Sequence, residues 1–540
     1  MRGTMMDFPL TMHHVFERGT RLFPEHEIVT GGGVGVAHRY TYREMEQRVR
    51  RLASGLLELG LRPGERVGTF AWNTYRHLEL YFAVPLLGSV LHTLNIRLFH
   101  EQLTYIINHA EDRFLAVDRS LLPTLQPVLP TLRTVEKIIV MDDGSDVDPG
   151  DAVDFEAIVE RGTPTFAFPR VDETEAAMMC YTSGTTGNPK GVAYTHRSML
   201  MHSFGVCNAD ALGISMRDTT MAVVPMFHAN AWGIPYGSTL VGARQVLPGV
   251  APQPERLLRL LQDERVTMAA GVPTIWIGLL PAIQSGGYDL SQLNRIIVGG
   301  SAAPRGLIEA YDKVGLNILH AWGMTEMSPI GSVAWLKPGL SARDPNAQLD
   351  YRAKQGLSVP GVEMRVLDSD GNEVPHDGQT MGELMVRGPW VTGAYYNDES
   401  GAASFTDDGW FRTGDVVTVD AEGYIEIADR TKDLIRSGGE WISSVALENA
   451  LMAHPKVLEA AVIAVPDERW AERPLACVVP RPEARGQLAD AELTEYLAQQ
   501  FARWWLPERF LFLDELPKTS VGKFDKKALR QKHASQVVTA

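Results

Sequence analysis

Residues 176–191 read A-A-M-M-C-Y-T-S-G-T-T-G-N-P-K-G. An apolar run with the length of one buried strand feeds into a loop of hydroxyls, glycines and a single lysine. Glycines let backbone N–H groups approach an anion, hydroxyls add donors, and Lys190 adds a point charge, so the loop suits phosphate. It is not a Walker A loop, which requires G-x-x-x-x-G-K-[ST]; here Lys190 is followed by Gly191. The string T-H-R-S (195–198) opens a helical pattern, so the segment reads as strand, loop, helix, with a helix N-terminus near the anion. On composition alone, the same loop also fits a flexible Gly/Thr surface turn.

Outward from this loop the chain alternates between short apolar runs and amphipathic stretches. Residues 41–60 predict a helix, with Thr41 and Glu44 forming a capping box, Val49, Leu52, Ala53, Leu56 and Leu57 on one face, and Gly60 as the stop. Residues 66–73 read as a strand and 77–87 as an apolar helix. Further buried runs fall at 114–117, 137–141, 176–182, 221–224, 267–270, 295–298 and 316–321, with helical stretches at 254–264 and 304–314 among them. This order means βαβ units and mostly parallel sheets. Near residue 360 the pattern changes. Segments 362–368, 382–388 and 424–430 alternate apolar and polar, with turn signals at 368–372 and 407–409, as in a small antiparallel sheet or barrel. A helix at 444–452 and strands at 460–465 and 475–479 follow. The expected division is a large N-terminal domain, 1–430, with a small β subdomain at about 350–430, and a small α+β C-terminal domain, 431–540.

Bulk properties narrow the function. A chain of 540 residues exceeds the roughly 250–300 at which a single core stops growing. The net charge of −15 argues against non-specific nucleic-acid binding, though not against a local anion site. Three widely spaced cysteines without a C-x-x-C make a disulfide framework or zinc site improbable and fit a reducing cytoplasm. The N-terminus lacks a secretory apolar region, and no stretch reaches the roughly 18 uninterrupted apolar residues of a membrane span. Any membrane contact is then peripheral.

The complete string Y-T-S-G-T-T-G-N-P-K-G resembles the signature loop of the adenylate-forming superfamily: acyl-CoA synthetases, luciferases and carrier-loading adenylation domains. Further motifs follow in the family's order. They are P-M-F-H (225–228), G-G-S-A-A-P (299–304), A-W-G-M-T-E (321–326), W-F-R-T-G-D (410–415), D-R-T-K-D-L-I-R-S-G-G-E-W-I-S (429–443) and P-K-T-S-V-G-K (517–523). The resemblance implies ATP-dependent activation of a carboxylic acid to acyl-AMP with pyrophosphate release, then transfer to the thiol of CoA. Because the first step joins two anions, positive charge, Mg²⁺ and oriented donors must carry it.

Carried over residue by residue, the resemblance assigns ATP/AMP contacts to Thr182, Ser183, Gly184, Thr185, Thr186, Gly187 and Lys190. It adds Gly300, His320, Ala321, Trp322, Gly323 and Thr325. Glu326, with the Thr182 hydroxyl, resembles the magnesium site. Trp322 stands where many relatives carry tyrosine, and offers a larger face to adenine. Asp415 and Arg430 resemble the ribose contacts, since an ionised carboxylate accepts both sugar hydroxyls. Lys523 resembles the mobile lysine of adenylation. Lys432 holds the hinge-like place, after which rotation of the C-terminal domain replaces Lys523 with S-G-G-E-W. Ser437, Gly438 and Gly439 then pass the pantetheine arm, flanked by Arg436 and Trp441.

For the acid, His228, Trp232 and Gly271 resemble the acyl-pocket border, with Trp232 placed to close a tunnel. No cation there matches a second carboxylate, and the tryptophans equally suit a packed core. The pattern looks most like medium- to long-chain fatty acyl-CoA synthetases. Loading of a carrier protein, a luciferase-type oxygenase and a silent nucleotide-binding regulator are the competing readings. The resemblance admits a homodimer through the segment before residue 40, although no residue there shows one.

Overall fold

The structure, a computed structural model, describes residues 1–533 apart from 34, 183–187, 438–439, 468 and 519–523. Its contacts divide the chain into two compact units. One comprises residues 1–182, 188–364 and 386–411, and the other 183–187, 365–385 and 412–540.

The first unit is built on two large sheets. In the seven-stranded sheet the order is Val153–Asp154, Lys137–Met141, Asp112–Asp118, Arg66–Phe70, Val90–Thr93, Ala176–Tyr181 and Gly191–Thr195. All neighbours are parallel except the last pair. In the nine-stranded sheet, Ile318–Gly323, Arg295–Val298, Met268–Gly271, Thr219–Ala222, Arg244–Leu247 and Glu27–Gly31 are parallel neighbours. Antiparallel strands flank them: Val36–Thr41 on one edge, Ile330–Val333 and Leu357–Ser358 on the other. The central strands are buried on both faces, which is why they read as continuous apolar runs rather than alternating ones.

Helices fill the space around these sheets. Tyr42–Glu58 begins at the capping box read from the sequence, with the Thr41 and Glu44 side chains each bonded to the other's backbone N–H. Its Tyr42 hydroxyl donates to Ala243 O at 2.7 Å and accepts from Gln245 at 2.8 Å, so a fully buried phenol leaves no unpaired donor. The next helix, Tyr75–Leu86, is buried along its whole length. It carries Glu79 into the interior, where Arg48 grips it at 2.7 and 3.1 Å and also holds Glu156. Burial pushes the Glu79 carboxyl up to about 7 against the opposing pull of Arg48.

The second unit contains two sheets. The alternating segments form a four-stranded sheet in the order Glu363–Leu367, Gly382–Arg387, Phe411–Val419, Ile425–Arg430, the sheet rather than the barrel form of the two that alternation allows. The other sheet packs Ser444–Ala453 and Asp490–Ala498 against the long hairpin Val457–Asp467/Ala471–Pro480.

Thr41→Ala removes one half of the capping box and is expected to cost about 1 kcal/mol. The change should appear as a lower urea midpoint without a change in slope; an unchanged midpoint would deny the cap any role in stability.

Candidate active site

The phosphate-type loop does not lead straight into a helix. The strand Gly191–Thr195 intervenes and pairs antiparallel with Ala176–Tyr181, Tyr181 opposite Gly191. V-A-Y-T pairs readily in a sheet, and the helix His196–Cys207 starts only after it, capped by Thr195. At the end of this pairing, Thr182 N donates to Lys190 O at 2.9 Å, and Lys190 N donates to the Thr182 hydroxyl oxygen at 3.1 Å. The helix N-terminus expected beside the anion is therefore displaced by a strand. Ser183, Gly184, Thr185, Thr186 and Gly187 lie outside the described residues.

At the C-terminal ends of two parallel strands in the nine-stranded sheet, loops converge on a cavity of about 60 Å³. His228, Trp232, Gly299, Gly300, Ala321, Trp322, Gly323 and Thr325 border it, bringing His228 and Trp232 of the assigned acyl-pocket border together with part of the assigned nucleotide set. Trp322 is 7% exposed, with its indole flat against Gly331. A Cβ on Gly331 would lie 2.5 Å from the Trp322 ring, so glycine is what admits the larger aromatic. On the other wall, Ala229, Asn230, Ala231 and Trp232 all have φ between 42° and 56°. Such left-handed geometry costs roughly 1–2 kcal/mol per non-glycine residue. It turns the Trp232 indole over Gly299, whose missing Cβ would sit 3.3 Å from that ring.

Two of the assigned residues are engaged by the protein itself. The His320 ring is buried, with Nε2 accepting from Ala303 N at 3.3 Å and Nδ1 against Ala353 O at 3.0 Å. Burial lowers it to about 4, so it stays neutral and secures the A-A-P turn; only its backbone is left for a ligand. Gly271 is not among the cavity-lining residues. Its carbonyl accepts from Trp276 Nε1 at 3.3 Å, and Trp276 is a fully buried core residue packed on Tyr311.

The turn carrying Thr325 and Glu326 is braced by residues that the sequence did not single out. Tyr194 donates to Thr325 O at 2.7 Å, and Thr392 N donates to Glu326 O at 2.7 Å. Trp390 Nε1 donates to Ile330 O, and Ser328 Oγ donates to Trp390 O, both at 3.0 Å. Glu326 itself is 6% exposed, and Tyr395 donates to its Oε1 at 2.7 Å. Burial and the adjacent carboxylate raise the Tyr395 phenol, so it remains a donor. Beside it the Lys190 ammonium lies 4.5 Å over the Tyr395 ring and 3.4 Å from Asp398 Oδ2. The signal for this brace was present in V-T-G-A-Y-Y-N-D (391–398), but an aromatic pair in a loop carries little meaning until its neighbours are known. Among the described residues no group of three or more His, Cys, Asp or Glu could hold a metal ion. A single carboxylate is the donor set expected for a hard cation that keeps waters and shares phosphate oxygens, so Glu326 fits Mg²⁺.

In the second unit, Asp415 and Arg430 face each other across antiparallel strands, Arg430 Nε 2.6 Å from Asp415 Oδ1, with Asp415 1% exposed. Lys432 lies exposed on the turn that follows. Arg436 and Trp441 are paired in the next hairpin, where Arg436 is exposed and its N–H donates to Glu472. Ser437 is buried and accepts from Arg473 at 3.1 Å. Gly438, Gly439 and Lys523 lie outside the described residues. Lys518 and Phe524 form an isolated antiparallel bridge, and Asp525 N donates to Pro517 O at 2.8 Å. Immediately beyond, Lys526 is anchored to Glu448 at 2.7 Å and Ser444 at 2.6 Å.

Gly331→Ala should push the Trp322 indole out of place at a cost of about 1–3 kcal/mol. Calorimetry should then read weaker AMP binding with an unaltered far-UV spectrum; full AMP affinity would detach Trp322 from the nucleotide.

Comparison with known proteins agrees along the entire chain. Residues 16–396 match the model of the AMP-binding enzyme family and residues 446–523 that of the AMP-binding enzyme C-terminal domain. A long-chain-fatty-acid–CoA ligase of Thermus thermophilus is 48% identical over 98% of this chain and 97% of its own. A medium-chain-fatty-acid–CoA ligase of Ectopseudomonas oleovorans is 43% identical, over 99% and 98%. A 3-methylmercaptopropionyl-CoA ligase of Ruegeria pomeroyi is 45% identical, over 98% of each. With the motifs in order and the cavity formed by the residues they name, this chain belongs to the AMP-binding enzyme family.

Proposed function

We propose that this protein is an AMP-forming acid–thiol ligase that activates a medium- to long-chain fatty acid with ATP and passes the acyl group to CoA. The observation that carries the reading is the end-to-end similarity to fatty-acid–CoA ligases at 43–48% identity. Carrier loading, light emission and a silent regulator have no comparable support.

In this reading the acid's carboxylate attacks the α-phosphorus of ATP, pyrophosphate leaves, and the CoA thiol then displaces AMP from the acyl carbon. Lys190, with the loop around it, binds phosphate. Trp322 and the backbone at Gly300, Ala321 and Gly323 form the adenine site, and Asp415 with Arg430 takes the ribose. Glu326 and the Thr182 hydroxyl would hold Mg²⁺, which when bound supplies charge neutralisation on the phosphates. Lys523 neutralises the developing charge between carboxylate and phosphate. Residues 431–540 act as the mobile domain about Lys432, bringing Ser437–Gly438–Gly439, flanked by Arg436 and Trp441, to the thiol step. Among the described residues no helix is long and apolar enough to cross a membrane; a cytoplasmic location with at most peripheral membrane contact belongs to the same proposal.

The acyl chain enters past His228 and Trp232. The cavity of about 60 Å³ is well below the roughly 300–1,000 Å³ of a ligand pocket, so in this reading the Trp232 indole leaves Gly299 when a chain passes. Trp232→Ala is expected to shift the chain-length optimum of kcat/KM; an unaltered profile would return Trp232 to a packing role. The 45% identity to a 3-methylmercaptopropionyl-CoA ligase favours, as a second reading, a short thioether acid. Pyrophosphate release should therefore be measured with C4–C18 acids and 3-methylmercaptopropionate, with CoA added or withheld. Maximal release with C8–C16 acids is expected; preference for the thioether acid would support the second reading.

Lys523→Ala is expected to abolish hydroxylamine-trappable acyl-AMP while thioester formation from supplied acyl-AMP persists. Equal loss of both halves would contradict a lysine that serves adenylation alone. Exposed Met1, Met5, Met6 and Phe8 support placing a homodimer contact in the N-terminal segment. Light scattering of the full chain and of one lacking residues 1–9 tests that contact, a monomer in both being the adverse result.

A further inference from the structure

Between the loop lysine and the carboxylate assigned to the metal stands one side chain that no motif named. Tyr395 donates its hydroxyl to Glu326 Oε1 at 2.7 Å, while its ring face lies 4.5 Å beneath the Lys190 ammonium. These are two different interactions from two parts of one residue. The hydroxyl fixes the rotation of a carboxylate, and the ring quadrupole holds a cation. Tyr395 is held in turn by Phe405 at 6.0 Å and Phe411 at 6.4 Å between centroids, and its ring edge fills the space above Gly401. Asp398, three residues on, gives the lysine its anionic partner at 3.4 Å.

We propose that Tyr395 is a positioning residue that sets the Glu326 carboxylate for the metal–triphosphate complex and keeps Lys190 in register with it. This rests on the proposed metal role of Glu326. Triphosphate and divalent cation bind as one body, so the cation that meets phosphate and the carboxylate that meets metal must stand at a fixed separation. Lys190 sits on a hairpin of the seven-stranded sheet, and Glu326 follows a strand of the nine-stranded sheet. Neither sheet alone fixes that separation. Tyr395 touches both groups, and its loop also holds the Glu326 backbone through Thr392. Asp398 occupies the lysine with a carboxylate that a phosphate oxygen would replace.

The test uses the full chain without acid or CoA, so that no turnover occurs. ATP affinity is measured by calorimetry with excess Mg²⁺ and with EDTA, and the ratio of the two dissociation constants gives the metal-linked gain. Tyr395→Phe keeps the ring and its packing but removes the hydroxyl. The gain is expected to fall about tenfold, the scale of one charge-assisted hydrogen bond, while affinity in EDTA stays within about twofold because the ring still holds Lys190. Tyr395→Leu should lose the gain and also weaken binding in EDTA. Glu326→Gln is the control for the underlying assignment. If Glu326→Gln abolishes the gain and Tyr395→Phe leaves it intact, or lowers affinity equally in both conditions, the positioning role is refuted and the metal assignment stands. If Glu326→Gln also keeps the full gain, the metal assignment itself falls.

Discussion

A carboxylate taken almost wholly out of water needs donors, and the neighbourhood of Glu326 is organised by that need. Its side chain is 6% exposed and receives the Tyr395 hydroxyl, while its carbonyl receives the Thr392 N–H. An ion buried this far is costly unless paired, so the segment 390–398 cannot be an indifferent surface loop. It is tied down at Trp390 to Ile330 and Ser328, and at Asp398 to Lys190. The chain thus spends a loop from the end of its first unit on bracing a turn placed some seventy residues earlier. The arrangement keeps negative charge available where a metal–phosphate body would meet it, with the second nearby carboxylate, Asp398, paired to Lys190.

The same reasoning distinguishes this carboxylate from other buried ones. Glu79 and Glu448 are each held by a partly buried cation, Arg48 and Lys526, and burial still pushes both carboxyls up to about 7. Both tie structural elements together. Arg48 joins the helices Tyr42–Glu58 and Tyr75–Leu86, and Lys526 joins the helix Lys526–His533 to Ser444–Ala453. Breaking such a pair leaves an uncompensated buried charge, at a cost of about 3–5 kcal/mol. Among the contacts of Glu326 is a neutral phenol, which orients a carboxylate without neutralising it.

The cavity walls show how large aromatics are accommodated by absent side chains. Trp322 lies on Gly331, where a Cβ would clash with the ring at 2.5 Å, and Trp232 on Gly299, where a Cβ would make a tight 3.3 Å contact. The Trp232 side is also backbone-strained, with four successive non-glycine residues in left-handed geometry. Strain of this kind persists only where the surroundings over-determine it. Fully buried Asn230 accepts there from Cys180 at 3.3 Å, and Cys180 lies 3.2 Å from the Thr93 hydroxyl. Cys180 is thus a buried link between the strand before the phosphate-type loop and the cavity wall that carries Trp232.

Period and punctuation in the sequence determined the elements. The strands Lys137–Met141 and Arg295–Val298 fall where their apolar runs lie, and the capping box forms as Thr41 and Glu44 dictate. The ordered motifs and the stretch after P-M-F-H likewise named Trp322, Thr325, Trp232 and Gly300, which the fold gathers around one cavity. Those signals are local: a strand's burial or a helix's cap is written within a few residues. Tertiary structure alone decided what depends on separation. Gly191–Thr195 became a strand because Ala176–Tyr181 offered it an edge, His320 spent both ring nitrogens on distant backbone, and Trp276 went to the core. The meeting of Tyr395 with Lys190 and Glu326 spans about two hundred residues of chain and two sheets. No short-range pattern encodes such a contact, because it exists only once both sheets have been packed.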